Sequence, residues 1–449
     1  MIETISTHVV DLIETLRRQL CNRGFISRHR MRPQDFTRER QLTFPIVMLF
    51  TLQKTVKSIQ RHLHEFLDEL AGGELFEAVT PGAWTHARAK LKHTAFIELN
   101  RSCVVPAIYA SARRREIQRW CGHRLLGVDG SLVRLPNSAE LCAQFTPVDV
   151  TNDRGQVGIR YAEARISVVY DLLNRVGLDG RLEPSSTGES VLALEQLVHA
   201  APGDVVISDR GYSSYRYLAS VRALGLHYVA RCSCGSFAVV QELFRKNRAG
   251  RSITVKIFAP PNERAELQRQ GLPLMLVVRF VSLRLPTGEL EVLATSLLDE
   301  RKYPTGDFLS LYHRRWNHET FYGVMKGRLD LENFSGQTPE AVRQDFHSTL
   351  LLCNLESVLT ASTDAALQTQ STDHDHSKQV NRAVSFHALK DQLLPLLYSD
   401  LPAEAVIGKL QQWFAGSPVS VRESRKVPRE KFSWPRSYHF QRRVRKIVF

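Results

Sequence analysis

The chain has 449 residues, enough for roughly two or three domains and a substantial hydrophobic core. Its 60 Lys and Arg residues against 46 Asp and Glu residues give a formal net charge of +14, which favours a polyanionic partner such as nucleic acid. The sequence has no stretch of about 18 uncharged apolar residues and no charged-then-apolar signal at its start. We therefore exclude a membrane-spanning protein and expect a soluble protein of the cytoplasm.

The cysteine spacing argues against a zinc site. The cysteines lie at positions 21, 103, 121, 142, 232, 234 and 353. Cys232 and Cys234 are separated by a single residue, and no second pair completes a set of zinc ligands. Structural or incidental thiols in a reducing compartment are the better interpretation.

Two helices are predicted in the N-terminal part of the chain. Apolar residues recur at every third or fourth position over residues 52–70, which is typical of an amphipathic helix, and Gly72 and Gly73 end it. Thr80 before Pro81 predicts the start of a second helix over residues 81–92.

The second of these helices is basic. Two helices around a glycine-containing break resemble a helix-turn-helix in outline, so residues 1–118 are interpreted as a helical DNA-binding domain. Arg88, Lys90 and Lys92 are the candidate DNA contacts. Any helical bundle of a basic protein would show a similar pattern, and this alternative stays open.

Residues 119–231 alternate between strands and helices. Strands are predicted over residues 125–128, 166–170, 176–182, 205–208 and 227–231, and helices over 191–198 and 215–224. The first strand ends at Asp129 and the fourth at Asp209. Residues 232–299 are predicted to be mostly β, with a hairpin of residues 274–285 and 290–297 around the turn 286–289.

The last third of the chain combines a helical segment with a polar one. Residues 300–361 are predicted to hold a polar helix and its apolar continuation over 350–359. Residues 362–382 are rich in Thr, Gln, Ser, Asp and His and are interpreted as a linker, in which the Asp-His-Asp-His tract 373–376 is an incidental metal motif. Residues 383–449 form a basic C-terminal region.

Basic and aromatic residues alternate near the end of that region. Residues 421–449 hold ten Lys and Arg residues against two Glu residues, interleaved with Phe432, Trp434, Tyr438 and Phe440. Such a segment is suited to clamp a phosphate backbone and stack on bases, although basic segments of this kind are often only solvated.

Four polar side chains share one stripe of the helix predicted over residues 312–326. Tyr312, Arg315, Glu319 and Lys326 fall on one side at about 3.6 residues per turn, with Phe321, Val324 and Met325 facing a core. A carboxylate among two cations and a phenol suits a metal-dependent phosphoryl-transfer site. An ordinary ion-paired surface is the alternative.

Two aspartates extend this pattern. Asp129 precedes Gly130, and Asp209 is followed by Arg210, Gly211 and Tyr212. If both strand ends converge with Glu319, the three carboxylates form a hard oxygen site for Mg²⁺ or Mn²⁺. Carboxylates this close would otherwise repel one another, so the cluster makes most sense around bound cations.

The Y-x2-R-x3-E-x6-K pattern of residues 312–326, together with Asp-Gly-Ser at 129–131 and Asp-Arg-Gly-Tyr at 209–212, resembles the DDE transposases of bacterial insertion sequences, specifically the insertion sequence four family. The resemblance implies an α/β protein with a ribonuclease-H-like mixed-sheet catalytic domain. In that family a mostly β insertion interrupts the catalytic domain, and the resemblance implies that residues 232–299 form this insertion.

The resemblance also implies residue roles. Asp129, Asp209 and Glu319 would be catalytic and would hold two Mg²⁺ or Mn²⁺ ions for in-line displacement. Tyr312, Arg315 and Lys326 would grip DNA phosphates, and Arg210 and Tyr212 would add contacts. Relatives bind terminal inverted repeats, cut at the element ends and join them to target DNA, usually as homodimers.

In relatives an aromatic residue of the insertion holds a flipped base. The insertion of this chain has no tryptophan, which leaves Phe237, Phe244, Phe258 or Phe280 as substitutes.

The main alternative to an active transposase is a catalytically inactive or domesticated DNA-binding relative. A junction-resolving nuclease fits the three acids but not the spacing of the four-residue stripe.

Overall fold

The protein is a mixed α/β structure with a large mixed sheet. The computed structural model describes residues 6–38, 40–54, 58–72, 78–110, 117–151, 157–370 and 377–421. The chain divides into two compact units. The first unit comprises Met1–Arg113, Val133–Ala164 and Met325–Phe449, and the second comprises Arg114–Leu132 and Arg165–Val324. Residues 133–164 of the predicted catalytic segment 119–231 thus belong to the first unit.

The helices and strands have the following bounds. The α-helices are α1 Thr7–Leu20, α2 Arg23–His29, α3 Phe44–Gln53, α4 Ile59–Ala71, α5 Pro81–Arg88, α6 Thr94–Leu99, α7 Val105–Ile108, α8 Ala139–Gln144, α9 Glu189–Leu197, α10 Tyr215–Ala223, α11 Ala238–Lys246, α12 Arg264–Arg269, α13 Asp307–His313, α14 Trp316–Gly323, α15 Pro339–Gln370, α16 Arg382–Asp391, α17 Leu393–Leu397 and α18 Ala403–Gly416. The strands are β1 Leu125–Arg134, β2 Thr146–Thr151, β3 Val157–Asp171, β4 Val176–Pro184, β5 Val205–Ser208, β6 His227–Arg231, β7 Arg251–Phe258, β8 Met275–Arg284, β9 Leu290–Thr295, β10 Lys378–Val380 and β11 Pro418–Ser420.

The first unit is built mainly from helices around α15. Helix α3 is buried along its whole length, and α15 packs against α3, α6 and α18. The apolar residues predicted at 350–359 lie on α15 and are buried, as expected. No helix in the described part of the chain combines the length and the apolar character needed to cross a membrane.

The predicted N-terminal helices are confirmed in part. Thr80 caps α5, because its side chain accepts a hydrogen bond from the amide of Ala83. The helix ends at Arg88 instead of Lys92. The helix predicted over 52–70 is replaced by the end of α3 and by α4, which closes at Gly72 with a left-handed φ of 63°. Gly73 lies outside the described residues.

The prediction of a linker over 362–382 is wrong for its first part. Residues 362–370 continue α15, because apolar side chains of this part, such as Leu367, are still buried in the core. Strand β10 pairs antiparallel with β11. The tract 373–376 and the basic segment from residue 422 onward lie outside the described residues.

The second unit contains residues 165–171 of β3 and 125–132 of β1, and the sheet order there is β3-β1-β5-β6-β9-β8-β7, with β4 paired to β3. Strands β1, β5 and β6 are parallel, whereas β9, β8 and β7 run antiparallel to their neighbours. All residues of β5 are buried, which is typical of a parallel strand covered on both faces. The predicted strands 205–208 and 227–231 and the hairpin of β8 and β9 are confirmed, while the segment 232–299 also contains α11 and α12.

Two predicted elements around the candidate site differ from the structure. Strand β1 does not end at Asp129 but continues to Arg134, because its neighbour β3 is 15 residues long and extends the pairing. The single helix predicted over 312–326 is wrong. It is divided into α13, α14 and a π-helical turn, Val324–Arg328.

The division between α13 and α14 has a local cause. The amides of Arg314 and Arg315 donate to the carbonyls of Leu311 and Tyr312, three residues back instead of four. Such bonds tighten the helix to 3₁₀ geometry, which rarely persists for more than one turn.

Candidate active site

Three carboxylates of the second unit lie at one end of its parallel strands. Asp129 lies on β1, Asp209 directly follows β5, and Glu319 lies on α14. Strands β1 and β5 are parallel neighbours, with Gly127 opposite Ile207, so residues just beyond this pair lie at the same edge. The side chains of Asp129, Asp209 and Glu319 retain 21%, 41% and 28% of their exposure. They are therefore held by the fold yet open to solvent.

The three carboxylates interact electrostatically. Burial is the main cause that raises the pKa of Asp129 to about 6. Arg315 and the amide of Gly130 lower that pKa, whereas the charges of Asp209 and Glu319 raise it further. Asp129 is thus a carboxylate whose ionised form would gain from an additional cation.

Arg315 joins two of the acids. Its Nη2 donates to Oε1 of Glu319 at 2.8 Å, and its Nη1 lies 3.8 Å from Oδ2 of Asp129. The side chain is buried. Arg315 therefore supplies positive charge between a strand carboxylate and a helix carboxylate.

Tyr312 contacts the third acid, Asp209. Its hydroxyl donates to Oδ1 of Asp209 at 3.4 Å, a long hydrogen bond, and its ring lies 5.8 Å from the Arg315 guanidinium. Burial raises the pKa of Tyr312, so the phenol stays protonated and keeps its donor.

Arg231 and Glu291 belong to the same cluster and were missed from the sequence. Arg231 Nη1 lies 3.9 Å from Oδ1 of Asp209, and its Nη2 forms an ion pair with Glu291 of β9. Glu291 is buried, and burial raises its pKa even though Arg231 lowers it. The pairing of Ser208 with Ala230 in the parallel strands β5 and β6 places Arg231 beside Asp209. Aligning the two predicted strands 205–208 and 227–231 in this register would have identified Arg231 as a neighbour of Asp209.

Residues 120–355, more than half of the chain, match the family model described as a transposase DDE domain. The chain belongs to this transposase family. It is 23% identical over 238 residues to the InsG transposase of insertion sequence element IS4 from Escherichia coli (strain K12), a match covering 53% of this chain and 52% of that protein. The chain thus matches only about half the length of this relative.

Among solved structures, the chain is similar to the piggyBac transposase in a cryo-EM structure of its synaptic complex with hairpin DNA. The similarity covers 94% of this chain and 88% of that one, with 10% sequence identity and a TM-score of 0.41.

The donor set of the DDE domain fits Mg²⁺ or Mn²⁺. Asp129, Asp209 and Glu319 supply hard carboxylate oxygens from three separate elements, and the charges of Asp209 and Glu319 act on Asp129, so a cation bound among them would offset their mutual repulsion. Within the described ranges, no group of three or more His, Cys, Asp or Glu side chains is already drawn together at metal-binding distance. Arg315 contacts two of the acids in this arrangement.

Glycine is needed at two positions of the DDE domain where side chains approach β1. A Cβ at Gly127 would lie 2.8 Å from Leu172 Cδ2 and 2.9 Å from His318 Nδ1, and one at Gly130 would lie 2.8 Å from Glu189 Cγ. Burial lowers the pKa of His318 to about 3, so its ring is neutral where it packs against β1. By contrast, the space around Gly211 is open among the described residues.

The remaining predicted contacts near Asp209 divide into two kinds. Arg210 is exposed and accessible to a ligand. Tyr212 is 1% exposed, with its ring against Tyr217 at 5.3 Å. The prediction that Tyr212 contacts DNA therefore does not fit, because the residue after Gly211 turns into the core.

Lys326 lies in the first unit, in the turn Val324–Arg328. It is half-buried, and burial lowers its pKa while Glu332 and Glu163 act in the opposite direction. The structure therefore brings Tyr312, Arg315 and Glu319 together within the second unit but assigns Lys326 to the other unit.

The N-terminal prediction needs a correction at Arg88. This side chain is 5% exposed and forms an ion pair with Asp345 at 2.8 Å, so it is committed to the core of the first unit instead of to DNA. Lys90 and Lys92 lie beyond the end of α5 and are half-buried, and Lys92 donates to the carbonyl of Arg28 at 3.2 Å.

The four candidate phenylalanines differ in accessibility. Phe280 is fully buried, and the half-buried Phe237 packs on it with ring centroids 5.5 Å apart. Phe244 is half-buried as well. Phe258, at the end of β7, is 62% exposed and is the most accessible of the four. A role in holding a base is excluded for Phe280 by its burial.

Proposed function

We propose that the chain is an active transposase of the insertion sequence four type, which binds the terminal inverted repeats of its element, cuts the DNA and joins the freed ends to target DNA. The observation that carries this proposal is that Asp129 interacts electrostatically with Asp209 and Glu319, with Arg315 beside Asp129 and Glu319, in a chain of the DDE transposase family. A protein that only binds DNA has no need of three acids beside a polyanion.

A ribonuclease-H-like catalytic fold is part of the proposal. Of the parallel strands β1, β5 and β6, the first carries Asp129 and the second directly precedes Asp209. The antiparallel strands β7, β8 and β9 lie between β6 and the helix that carries Glu319 in the sequence. This order supports residues 232–299 as an insertion into the catalytic domain. Residues 1–118 are proposed as the DNA-binding domain, with Lys90 and Lys92 among its contacts.

Asp129, Asp209 and Glu319 are the residues that would hold two Mg²⁺ or Mn²⁺ ions. When bound, such ions activate the attacking water or 3′-hydroxyl and stabilise the leaving oxygen. Arg315 and Tyr312 orient these carboxylates when DNA is absent. A phosphate that enters between them would take N–H donors of Arg315 and the single O–H of Tyr312, which would then turn away from Asp209. Arg231 adds positive charge 3.9 Å from Asp209.

DNA binding would extend beyond the acids. Arg210 is exposed next to Asp209, and Lys326 adds a further cation for the DNA backbone. Phe258 is the best candidate for stacking on an unpaired base, because its ring is largely exposed. The functional form would be a homodimer on paired element ends, acting on DNA in the bacterial cytoplasm at the nucleoid.

The test is a nicking assay on duplex DNA that carries the element ends. Mg²⁺-dependent nicking is expected for the unaltered chain and should be abolished by Asp129→Ala, Asp209→Ala or Glu319→Ala, while binding in a gel-shift assay is retained. Glu289→Ala is the matched control, because this acid is exposed on the turn between β8 and β9. Wild-type nicking by any of the three variants would refute the assignment, and binding without nicking by the unaltered chain would favour the inactive, domesticated alternative.

A further inference from the structure

Tyr322 forms two buried hydrogen bonds at the strand that carries Asp129. It lies on α14, three residues after Glu319, and its side chain is buried. Its hydroxyl donates to the backbone carbonyl of Asp129 at 2.8 Å and accepts from the backbone amide of Val168 at 3.1 Å. One phenol therefore contacts β1 and β3 at once.

These two backbone groups belong to neighbouring strands of the sheet. A buried strand amide and a buried strand carbonyl ordinarily satisfy each other across the ladder, because leaving either without a partner is costly. Here the hydroxyl of Tyr322 lies between them, so β1 and β3 are bridged by a helix side chain at the residue that carries a catalytic acid. The backbone of Asp129 is thereby tied to α14.

A second contact fixes the same helix on the same strand. His318 packs so closely on Gly127 that a Cβ there would lie 2.9 Å from its Nδ1. The rings of His318 and Tyr322 also stack, with centroids 4.8 Å apart. Glu319 lies between these two anchoring residues in sequence, so its position relative to Asp129 is set on both sides.

We propose that Tyr322 is a positioning residue whose hydroxyl sets the separation of Asp129 and Glu319 and thereby tunes the affinity of the acid cluster for a divalent metal ion. The proposal rests on the function proposed above, in which these two acids are metal ligands. Tyr322 itself touches neither substrate nor metal, because its hydroxyl is engaged by two backbone groups in the interior of the second unit.

The test compares Mn²⁺ binding by the full chain and by its Tyr322→Phe variant. Free Mn²⁺ is measured by electron paramagnetic resonance during a titration without DNA. Removing a group that orients a metal ligand typically weakens binding about 10- to 100-fold, and we expect about 10-fold here, because the ring of Tyr322 remains in place. Hydrogen exchange at residues 165–171 should accelerate in the variant, because the amide of Val168 loses its acceptor.

Tyr228→Phe is the matched control. Tyr228 lies on β6 of the same unit and is also buried, but its hydroxyl has no hydrogen-bond partner among the residues that the structure describes. Its loss should leave Mn²⁺ affinity within about twofold of the unaltered chain. If Tyr322→Phe folds too poorly for titration, p-aminophenylalanine is placed at position 322 instead. It retains an N–H donor for the carbonyl of Asp129, so its Mn²⁺ affinity should lie within about twofold of that of the unaltered chain.

The outcomes separate the two proposals. Mn²⁺ binding that is weakened by Tyr322→Phe and by Asp129→Ala, but not by Tyr228→Phe, supports the positioning role. Binding that is lost in Asp129→Ala but unchanged in Tyr322→Phe overturns the role of Tyr322 and leaves the proposed function intact. Unchanged binding in Asp129→Ala would instead remove the metal site on which the proposed function depends.

Discussion

Replacing Arg88 with alanine should destabilise the first unit and leave its affinity for DNA largely unaltered. The guanidinium of Arg88 donates to Gln344 and Ser335, both at 2.6 Å, and to the carbonyl of Ala341 and Oδ1 of Asp345, both at 2.8 Å. Asp345 has no exposed surface. Arg88→Ala therefore leaves a buried carboxylate without its ion partner.

The expected magnitude follows from this burial. Removing one member of a buried, hydrogen-bonded ion pair typically costs about 3–5 kcal/mol. At about 2 °C per kcal/mol for a cooperative unit of this size, the unfolding midpoint should fall by roughly 6–10 °C in calorimetry. The double variant Arg88→Met with Asp345→Leu should recover most of that loss, because both charges are then removed together.

The stability difference should also depend on pH. Burial alone would raise the pKa of Asp345, but Arg88, Lys54 and the amide of Ser335 outweigh it and hold the pKa below its usual value. A depressed pKa contributes stability that is present at neutral pH and is lost as the pH falls through the folded-state value. The gap between the unaltered chain and Arg88→Ala should therefore narrow in acid.

A DNA-binding measurement completes the test of Arg88. The salt dependence of binding should be unchanged in Arg88→Ala, because the Arg88 guanidinium already gives its donors to Gln344, Ser335, Ala341 and Asp345, whereas a true backbone contact would reduce the slope by about one. Lys90→Ala is the matched control, since Lys90 is half-buried and lies beyond the end of the same helix. As a proposed DNA contact, it should show the reduced salt slope that Arg88→Ala does not. An unchanged unfolding midpoint together with a reduced salt slope in Arg88→Ala would refute the structural role.

Three further changes probe the second unit. Arg315→Ala should abolish nicking and reduce the salt slope of DNA-end binding by about one in gel-shift assays; an unchanged slope would show that the side chain meets no phosphate. Gly127→Ala should cost about 1–3 kcal/mol in denaturant unfolding, because its Cβ would overlap neighbouring side chains, whereas Gly211→Ala serves as the unhindered control; equal stabilities would contradict the close approach. Glu291→Gln should slow single-turnover nicking about 10-fold with DNA binding intact, since Arg231 loses its anionic partner; a rate equal to that of the Glu291 chain would argue against that support.

Local patterns predicted the short elements of the second unit well. Strands β5 and β6 and the hairpin of β8 and β9 were predicted from apolar runs between turn residues, and Thr80 correctly marked the start of α5. These features depend on neighbours in the sequence, so a single sequence is enough to find them.

Features that depend on distant contacts were not predictable in the same way. From the sequence, Arg88 was interpreted as a surface cation, because its partner Asp345 lies 257 residues further along the chain. Arg231 and Glu291 acquire a role only through the register of β6 with its neighbours. The backbone of Asp129 continues as a strand because β3 extends alongside, and a sequence window around Asp129 carries no information on β3.

The break between α13 and α14, which the continuous-helix prediction missed, explains how Tyr312, Arg315 and Glu319 come to lie beside one another. In an unbroken α-helix, residues three apart are about 60° out of line, whereas in a 3₁₀ turn they eclipse. The bond from the amide of Arg315 to the carbonyl of Tyr312, at 3.0 Å, produces such a turn. Tyr312 and Arg315 are thereby aligned toward Asp209 and Asp129, while Glu319, four residues further along on α14, receives Nη2 of Arg315. The spacing of three and then four residues therefore matches a 3₁₀ turn followed by an α-helical turn, and a substitution that restored a continuous helix would move Tyr312 away from Asp209.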